Sequence, residues 1–315
     1  VNLPRVLDVV ADRTIVPGYT KLGFLLRKRF WQPLPPDALR GKRVVITGAN
    51  SGLGKAAAAG MARLGASIRL VVRDTERGER AKAEILGEIP GADLHVDRCD
   101  VSDLDDVRRF AGTLTGLDVL VHNAGTMPPE RAETAQGNEI ALATHVLGPH
   151  LLTSLLTPAL RDGEPGRVLF VSSGGMYTQP LRVDDPQYRR GEYNGTKAYA
   201  RTKRMQVVLA LLWGRRLECD GITVHGVHPG WAATPGVTDS LPGFAKVMGP
   251  LLRDAEQGAD TVVWLAAAEE GGRAEHTGQF WHDRAPRPAH YLRRTRETAV
   301  QRDALWQFCE ERTRR

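Results

Sequence analysis

Tyr199 and Lys203 stand four residues apart in "YNGTKAYARTK", and so do Tyr193 and Lys197. A phenol is a poor proton carrier at neutral pH, because its unperturbed pKa lies near ~10. An ammonium one helical turn away favours the phenolate, so a Tyr–Lys pair on one face can move a proton to or from a substrate oxygen. Only a continuous helix puts both side chains on that face. Asn194-Gly195 breaks the first copy with a turn signal, whereas Ala200, Arg201 and Thr202 let the second run on through "KRMQVVLALL". The spacing selects Tyr199 and Lys203, leaving Tyr193 and Lys197 as loop and helix-start residues.

A second cluster speaks for a dinucleotide. "RVVITGANSGLGKAAAAGMARLGA" reads as a strand, a glycine-rich turn and a helix, with Gly48, Gly52 and Gly54 spaced G-x-x-x-G-x-G. Such a turn needs unusual backbone angles, lets the main chain approach a pyrophosphate, and aims free helix N–H groups at it. Asn50, Ser51 and Leu53 share that loop and are counted with it as cofactor-binding. The end of the second strand discriminates between cofactors: a carboxylate holds a ribose 2′-hydroxyl, a cation a 2′-phosphate. The position falls on Val72, followed by Arg73 and then Asp74. Arg73 favours NADP(H) through a charge-assisted contact, while a shift of register to Asp74 would favour NAD(H). Asp100, with Val101 after it, ends the third strand and either accepts from an adenine amine or caps a helix.

These residues need elements to hold them. Strands are expected at 43–47, 67–72, 92–97, 117–122, 167–172 and 221–227, each short and rich in Val, Ile and Leu. Helices are expected at 53–64, 76–88, 103–113, 133–160 and 196–217. The alternation predicts an α/β fold: one doubly wound parallel sheet of Rossmann type, covered by helices on both faces. A weak strand at 278–283 extends it, and a helix follows at about 295–312. The expected divisions are an N-terminal helical extension and linker (1–40), the catalytic domain (41–290) and a C-terminal helix (291–315).

Among 315 residues, 42% are hydrophobic and 25% charged, ordinary for a globular chain. The net charge of +6 is scattered, with no basic stripe interleaved with aromatics and no zinc-finger spacing, which argues against nucleic acid. Cys99, Cys219 and Cys309 are too few and too far apart for a disulfide framework or a metal site, and point to a reducing, cytoplasmic compartment. No apolar run approaches the roughly 18 residues that span a bilayer. "KLGFLLRKRFW" (21–31) mixes apolar and basic residues as a membrane-surface helix does, so weak peripheral contact is an open alternative.

The blocks "TGANSGLG", "DV" (100–101), "HNAG" (122–125), "VSS" (171–173), Tyr-x-x-x-Lys and "HPGWAATPG" (228–236) resemble, in this order, the short-chain dehydrogenases/reductases. More narrowly, "VSSGGM", "KRMQVVLA" and "EQGADTVVWLA" are similar to the dehydrogenase/reductase family member 12 branch, near the retinol-dehydrogenase-like enzymes. The resemblance implies reversible alcohol–carbonyl conversion with a nicotinamide cofactor. It assigns Ser173, the second serine of the pair, to the substrate oxygen and Tyr199 to the proton. Lys203 is expected to lower the Tyr199 pKa and hold the nicotinamide ribose. Asn123, Ala124 and Gly125 approach the cofactor, although Asn123 has an alternative role tying strands together. Pro229 and Gly230 bend round the nicotinamide, with Thr234 near its carboxamide.

Where the family carries an asparagine that supports a proton-relay water, this chain has His145. A histidine that donates and accepts can substitute; a cationic one would repel Lys203. Residues 231–254, with Trp231, Leu241, Phe244, Met248 and Leu251, read as a substrate lid for a lipophilic ligand or as an ordinary packed loop. A catalytically weak dinucleotide binder is the competing function. Pairing of subunits through the long fourth and fifth helices is possible unless the terminal additions block that surface.

Overall fold

The computed structural model describes residues 8, 12, 14, 16–162, 166–233, 243, 246 and 248–314. The sheet elements are β1 (Arg43–Thr47), β2 (Ser67–Val72), β3 (Leu94–Arg98), β4 (Val119–His122), β5 (Arg167–Val171), β6 (Thr223–Val227), β7 (Phe280–His282) and β8 (Ala285–Arg287). They form one sheet in the order β3-β2-β1-β4-β5-β6-β7-β8, parallel throughout except for the antiparallel β7–β8 pair. The doubly wound α/β expectation therefore holds, with β8 as an unanticipated edge. β1, β4, β5 and β6 are buried on both faces, which is why β1, β4 and β5 are largely apolar runs, while β6 buries Thr223 and His225 against the Gly271 carbonyl.

Among the described residues, the helices that shape the site and its surroundings are α1 (Val16–Tyr19), α2 (Lys21–Lys28), α3 (Gly52–Arg63), α4 (Thr75–Glu88), α5 (Leu104–Ala111), α6 (Ile140–Arg161), α7 (Gly195–Leu217), α8 (Ala255–Ala267) and α9 (Ala299–Thr313), with a further single turn at Glu269–Gly272. One apolar core lies between the sheet and α5, α6, α7 and α9; the other lies under α3 and α8. Asn194 caps α7 by accepting from the Lys197 N–H, so the Asn-Gly turn signal starts the helix and excludes Tyr193 from it. α6 begins later than the expected residue 133, because residues 133–139 turn back on themselves, with the Thr134 N–H donating to the Asn138 carbonyl at 2.8 Å. α6 is long and apolar enough to cross a membrane by length and composition. Polar residues interrupt it, so no continuous apolar run marks it in the sequence, and 83% of its apolar window is buried inside the protein.

α9 lies across α6 and α7. Leu305 and Cys309 are fully buried, Trp306 meets Trp213 edge-on at 4.8 Å, and the Arg216 guanidinium sits 3.6 Å above the Trp306 ring. That face of the two long helices is covered by the chain itself.

Candidate active site

The strand order reverses direction of winding between β1 and β4, and a cleft of about 460 Å³ opens at the carboxyl ends of the strands there. Thr47, the last residue of β1, organises its floor: its Oγ1 accepts from the Asn123 and Ala124 N–H groups at 3.0 and 3.1 Å. Asn123 Nδ2 donates to the Thr47 and Gly48 carbonyls at 3.0 and 3.2 Å, so it ties β4 to the glycine turn while lining the cleft. Gly48 has φ of 66°, and a Cβ there would lie 2.8 Å from Ala124 Cα; one on Gly54 would lie 2.4 Å from Asn123 Nδ2. The glycines are required by packing as well as by backbone angle. Ser51 precedes α3 without a side-chain cap bond, leaving the helix start open towards the cleft.

Gly48, Asn50, Ser51, Gly52, Leu53, Arg73, Asp100, Val101, Asn123, Ala124, Gly125, Ser173, Tyr199, Lys203, Pro229 and Gly230 all line this cleft. Gly54, the third residue of α3, does not line it, and Thr234 lies outside the described residues, as do Leu241 and Phe244 of the expected lid. Asp74 lines the cleft beside Arg73, and its Oδ1 also caps α4 by accepting from the Arg77 N–H at 3.1 Å. Arg77, which the sequence reading missed, lines the cleft beside Arg73; one turn of helix after Asp74 is the signal that could have found it. Asp100 is not the helix cap either. Its Oδ1 accepts from the Ser102 N–H and Oγ at 2.9 and 2.7 Å, and Asp103 caps α5.

Tyr199 and Lys203 project from the same face of α7, with the Lys203 nitrogen 5.4 Å from the phenol ring centroid. Lys203 is buried, and its ammonium donates to the Val171 carbonyl at 2.8 Å, at the end of β5. One acceptor for three donors fits an ammonium that gains further partners, such as ribose hydroxyls, when a dinucleotide is bound. Burial pulls the Lys203 pKa down to about 7. Burial also pushes the Tyr199 phenol up, more than its hydrogen bond with Ser173 pulls it down. The expected lowering of the Tyr199 pKa by Lys203 is not found in this arrangement, where desolvation sets the direction and Ser173 supplies the opposing pull. Ser172 faces away, donating to the Lys203 carbonyl at 2.8 Å, which leaves Ser173 as the serine that meets Tyr199.

His145 sits in a π-helical turn of α6, Ala143–Leu147, with its ring edge-on to Tyr199 at 5.4 Å. The Thr126 N–H donates to Nε2 at 3.0 Å, so Nε2 carries no proton. In the neutral ring the proton is on Nδ1, 2.8 Å from Thr202 Oγ1. Burial and the Lys203 charge hold the His145 pKa well below the ordinary imidazole value. The hydrogen bonds fit a neutral ring, not the cationic His145 that would repel Lys203, and both ring nitrogens are engaged by protein.

A second cavity of about 680 Å³ adjoins the cleft, with Tyr188, Tyr193, Met127 and Trp231 among its walls. Ser173, Tyr199, Gly230 and Ala232 line both spaces. Tyr193 thus returns as a wall residue, its hydroxyl donating to Glu139 Oε1 at 2.9 Å.

The short chain dehydrogenase family model matches residues 42–242. The chain is 40% identical to Dehydrogenase/reductase SDR family member 12 of Bos taurus over 302 residues, covering 94% of each protein. It is 32% identical to Retinol dehydrogenase 13 of Homo sapiens, covering 79% of each. Among solved structures, an uncharacterised protein from Mycobacterium paratuberculosis superposes with a TM-score of 0.72 at 31% identity, over 90% of this chain and 97% of that one. With the fold, the cleft and the serine, tyrosine and lysine already in place, these matches mean that the chain belongs to the short-chain dehydrogenase/reductase family of oxidoreductases.

Proposed function

We propose that the protein is an NADP(H)-dependent oxidoreductase that interconverts an alcohol and a carbonyl on a lipophilic substrate. The observation that carries this reading is that Tyr199 and Ser173 line both the dinucleotide cleft and the largely apolar cavity. A substrate oxygen at their junction meets a proton donor and a hydrogen-bond partner at once. The nicotinamide supplies or accepts the hydride when it is bound. Tyr199 Oη transfers the proton at the substrate oxygen, and the raised pKa of the phenol keeps it in the donor form required for carbonyl reduction. Ser173 Oγ orients the same oxygen. Lys203 holds the nicotinamide ribose, and His145 positions the turn that carries Thr126 against α7.

Arg73 and Arg77 support NADP(H) over NAD(H), since two cations flank the cleft beyond β2 against one carboxylate, Asp74, one of whose oxygens is taken by the α4 cap. The name of the retinol dehydrogenase relatives agrees with a lipophilic substrate. Residues 41–290 carry the chemistry, with 1–40 and 291–315 as additions to it. The setting we favour is cytoplasmic, with weak contact at a membrane surface through residues 21–31.

The test is NADPH consumption with a panel of lipophilic ketones and aldehydes. Wild type is expected to turn over, and Tyr199→Phe to lose roughly 10²–10⁴-fold in rate while still binding dinucleotide. Unchanged turnover in Tyr199→Phe overturns the assignment. Dinucleotide binding with no turnover of any carbonyl matches the catalytically weak reading instead.

A further inference from the structure

Away from the cleft, two arginines, an aspartate and one backbone carbonyl meet where the N-terminal segment crosses the β7–β8 hairpin. Asp283 and Arg284 form the hairpin tip with φ of 51° and 56°, a backbone region that non-glycine residues rarely enter. The tip places the Asp283 carboxylate, 2% exposed, between two guanidinium groups. Arg253 donates to it at 2.6 and 2.8 Å, and Arg27 of α2 at 2.6 Å. The Gly18 carbonyl accepts from the same pair, at 2.7 Å from Arg27 and 3.1 Å from Arg253.

Arg253 has a second attachment through its backbone. Its N–H donates to the Trp231 carbonyl and its carbonyl accepts from the Ala233 N–H, both at 2.8 Å. The Trp231 N–H donates to the Tyr19 carbonyl at 2.8 Å. The strip Trp231–Ala233, which supplies Trp231 and Ala232 to the cavity wall, is therefore strung between Tyr19 on one side and Arg253 on the other. A Cβ on Gly230 would lie 2.4 Å from Arg253 Nε, so the arginine also fits closely behind the wall. Arg27, Asp283 and Arg253 line neither the cavity nor the cleft.

We propose that residues 16–31 brace the substrate wall, with Arg27 acting through Asp283 and Arg253 as the positioning residue that fixes where Trp231 stands. The brace thereby selects which carbonyl compounds the cavity accepts, and this part of the claim rests on the function proposed above. A bulky apolar carbonyl depends on the wall being held back more than dinucleotide binding does, because the glycine turn shares none of these bonds and only Pro229, Gly230 and Ala232, at one end of the cleft, adjoin the brace.

The experiment compares full-length wild type, Arg27→Leu and Arg27→Lys. Hydrogen exchange is read at the amides of Trp231, Ala233 and Arg253, NADPH affinity by fluorescence, and KM and kcat with small and bulky ketones. In Arg27→Leu the three amides are expected to exchange at least about tenfold faster, and KM for bulky ketones to rise by about tenfold, with kcat and NADPH affinity little changed. Arg27→Lys, which keeps a donor, is expected to recover most of the loss. If Arg27→Leu does not fold, Arg27→Gln makes the same comparison. Unchanged exchange at the three amides, or a loss of NADPH affinity that matches the rise in KM, overturns the brace. If wild type turns over no carbonyl, the assigned activity fails, and the exchange measurement alone still decides whether the brace exists.

Discussion

His145 Nδ1 lies 2.8 Å from Thr202 Oγ1, immediately before Lys203 on α7, while the opposite ring nitrogen accepts from the Thr126 N–H at 3.0 Å. A neutral imidazole thus bridges the loop after β4 to the helix that carries Tyr199 and Lys203.

This bridge needs one acceptor and one donor, and an asparagine side chain has both. His145→Asn is expected to keep kcat within about tenfold of wild type, whereas His145→Ala leaves the Thr126 N–H unpaired at a cost of about 1–3 kcal/mol. Urea denaturation and steady-state rates on the two variants check this. Equal stability of the two would remove the bridging role.

How much of this was legible beforehand follows from how local each determinant is. β1 and β2 were readable to the residue, because each is a short β-branched-rich segment bounded by glycine or polar turn residues, even though Arg69 of β2 is paired with Asp97 rather than buried. The choice of Tyr199 over Tyr193 was legible for a similar reason: a turn signal between a tyrosine and its lysine is visible without any tertiary contact. Asp74 and Asp100 were ambiguous, since capping depends on which N–H each carboxylate meets after the chain folds. The weakest reading was of His145, whose charge is set by burial and by partners nineteen and fifty-seven residues away. The link between residues 16–31 and Trp231 left no sequence signal, because it combines backbone bonds that any residue can make with an Arg27–Asp283 ion pair between residues 256 positions apart.

The proposed NADP(H) preference rests on the residues that follow β2. Arg73→Ala and Arg77→Ala are each expected to raise KM for NADPH by roughly 10–100-fold relative to NADH, the loss of one charge-assisted hydrogen bond. Asp74→Ala is expected to lower stability by about 1 kcal/mol through its missing cap, with the cofactor ratio unchanged. Parallel effects of the arginine variants on both cofactors would refute the phosphate clamp.

Val16, Leu22, Leu25 and Phe30 are exposed large apolar side chains, at 47%, 58%, 44% and 52%, and Lys21, Lys28 and Arg29 lie exposed among them. Apolar insertion together with about 1 kcal/mol per basic residue near an anionic surface gives weak, salt-sensitive binding. Flotation with phosphatidylserine-containing vesicles is expected to carry the protein at low salt, and Leu22→Glu combined with Leu25→Glu to abolish it. Both side chains face outward, so NADPH affinity is expected to stay unchanged. Flotation of the double variant at wild-type level would place any membrane contact elsewhere.

Acid should unfold the protein before its carboxylates titrate. Six of the nine histidines are held neutral by burial: His122 is pulled down to about 3, His150, His225 and His282 to about 4, and His145 and His228 well below the usual value. Their folded pKa values lie below the unfolded value near 6.5, so between the two the unfolded chain binds more protons. Stability then rises with pH, and the contribution present above pH 6.5 is lost as pH falls towards the folded values. Each site costs up to about 1.4 kcal/mol per pH unit, and six together rival the roughly 5–15 kcal/mol that holds a domain. Denaturation midpoints measured from pH 7.5 to 5 are therefore expected to fall steeply, with unfolding coupled to the uptake of several protons. His122→Gln, which keeps a polar group opposite Thr153, is expected to lower that uptake by about one proton. A slope corresponding to a single proton or fewer would mean that these imidazoles charge inside the folded protein, and the neutral state of His145 would fall with them.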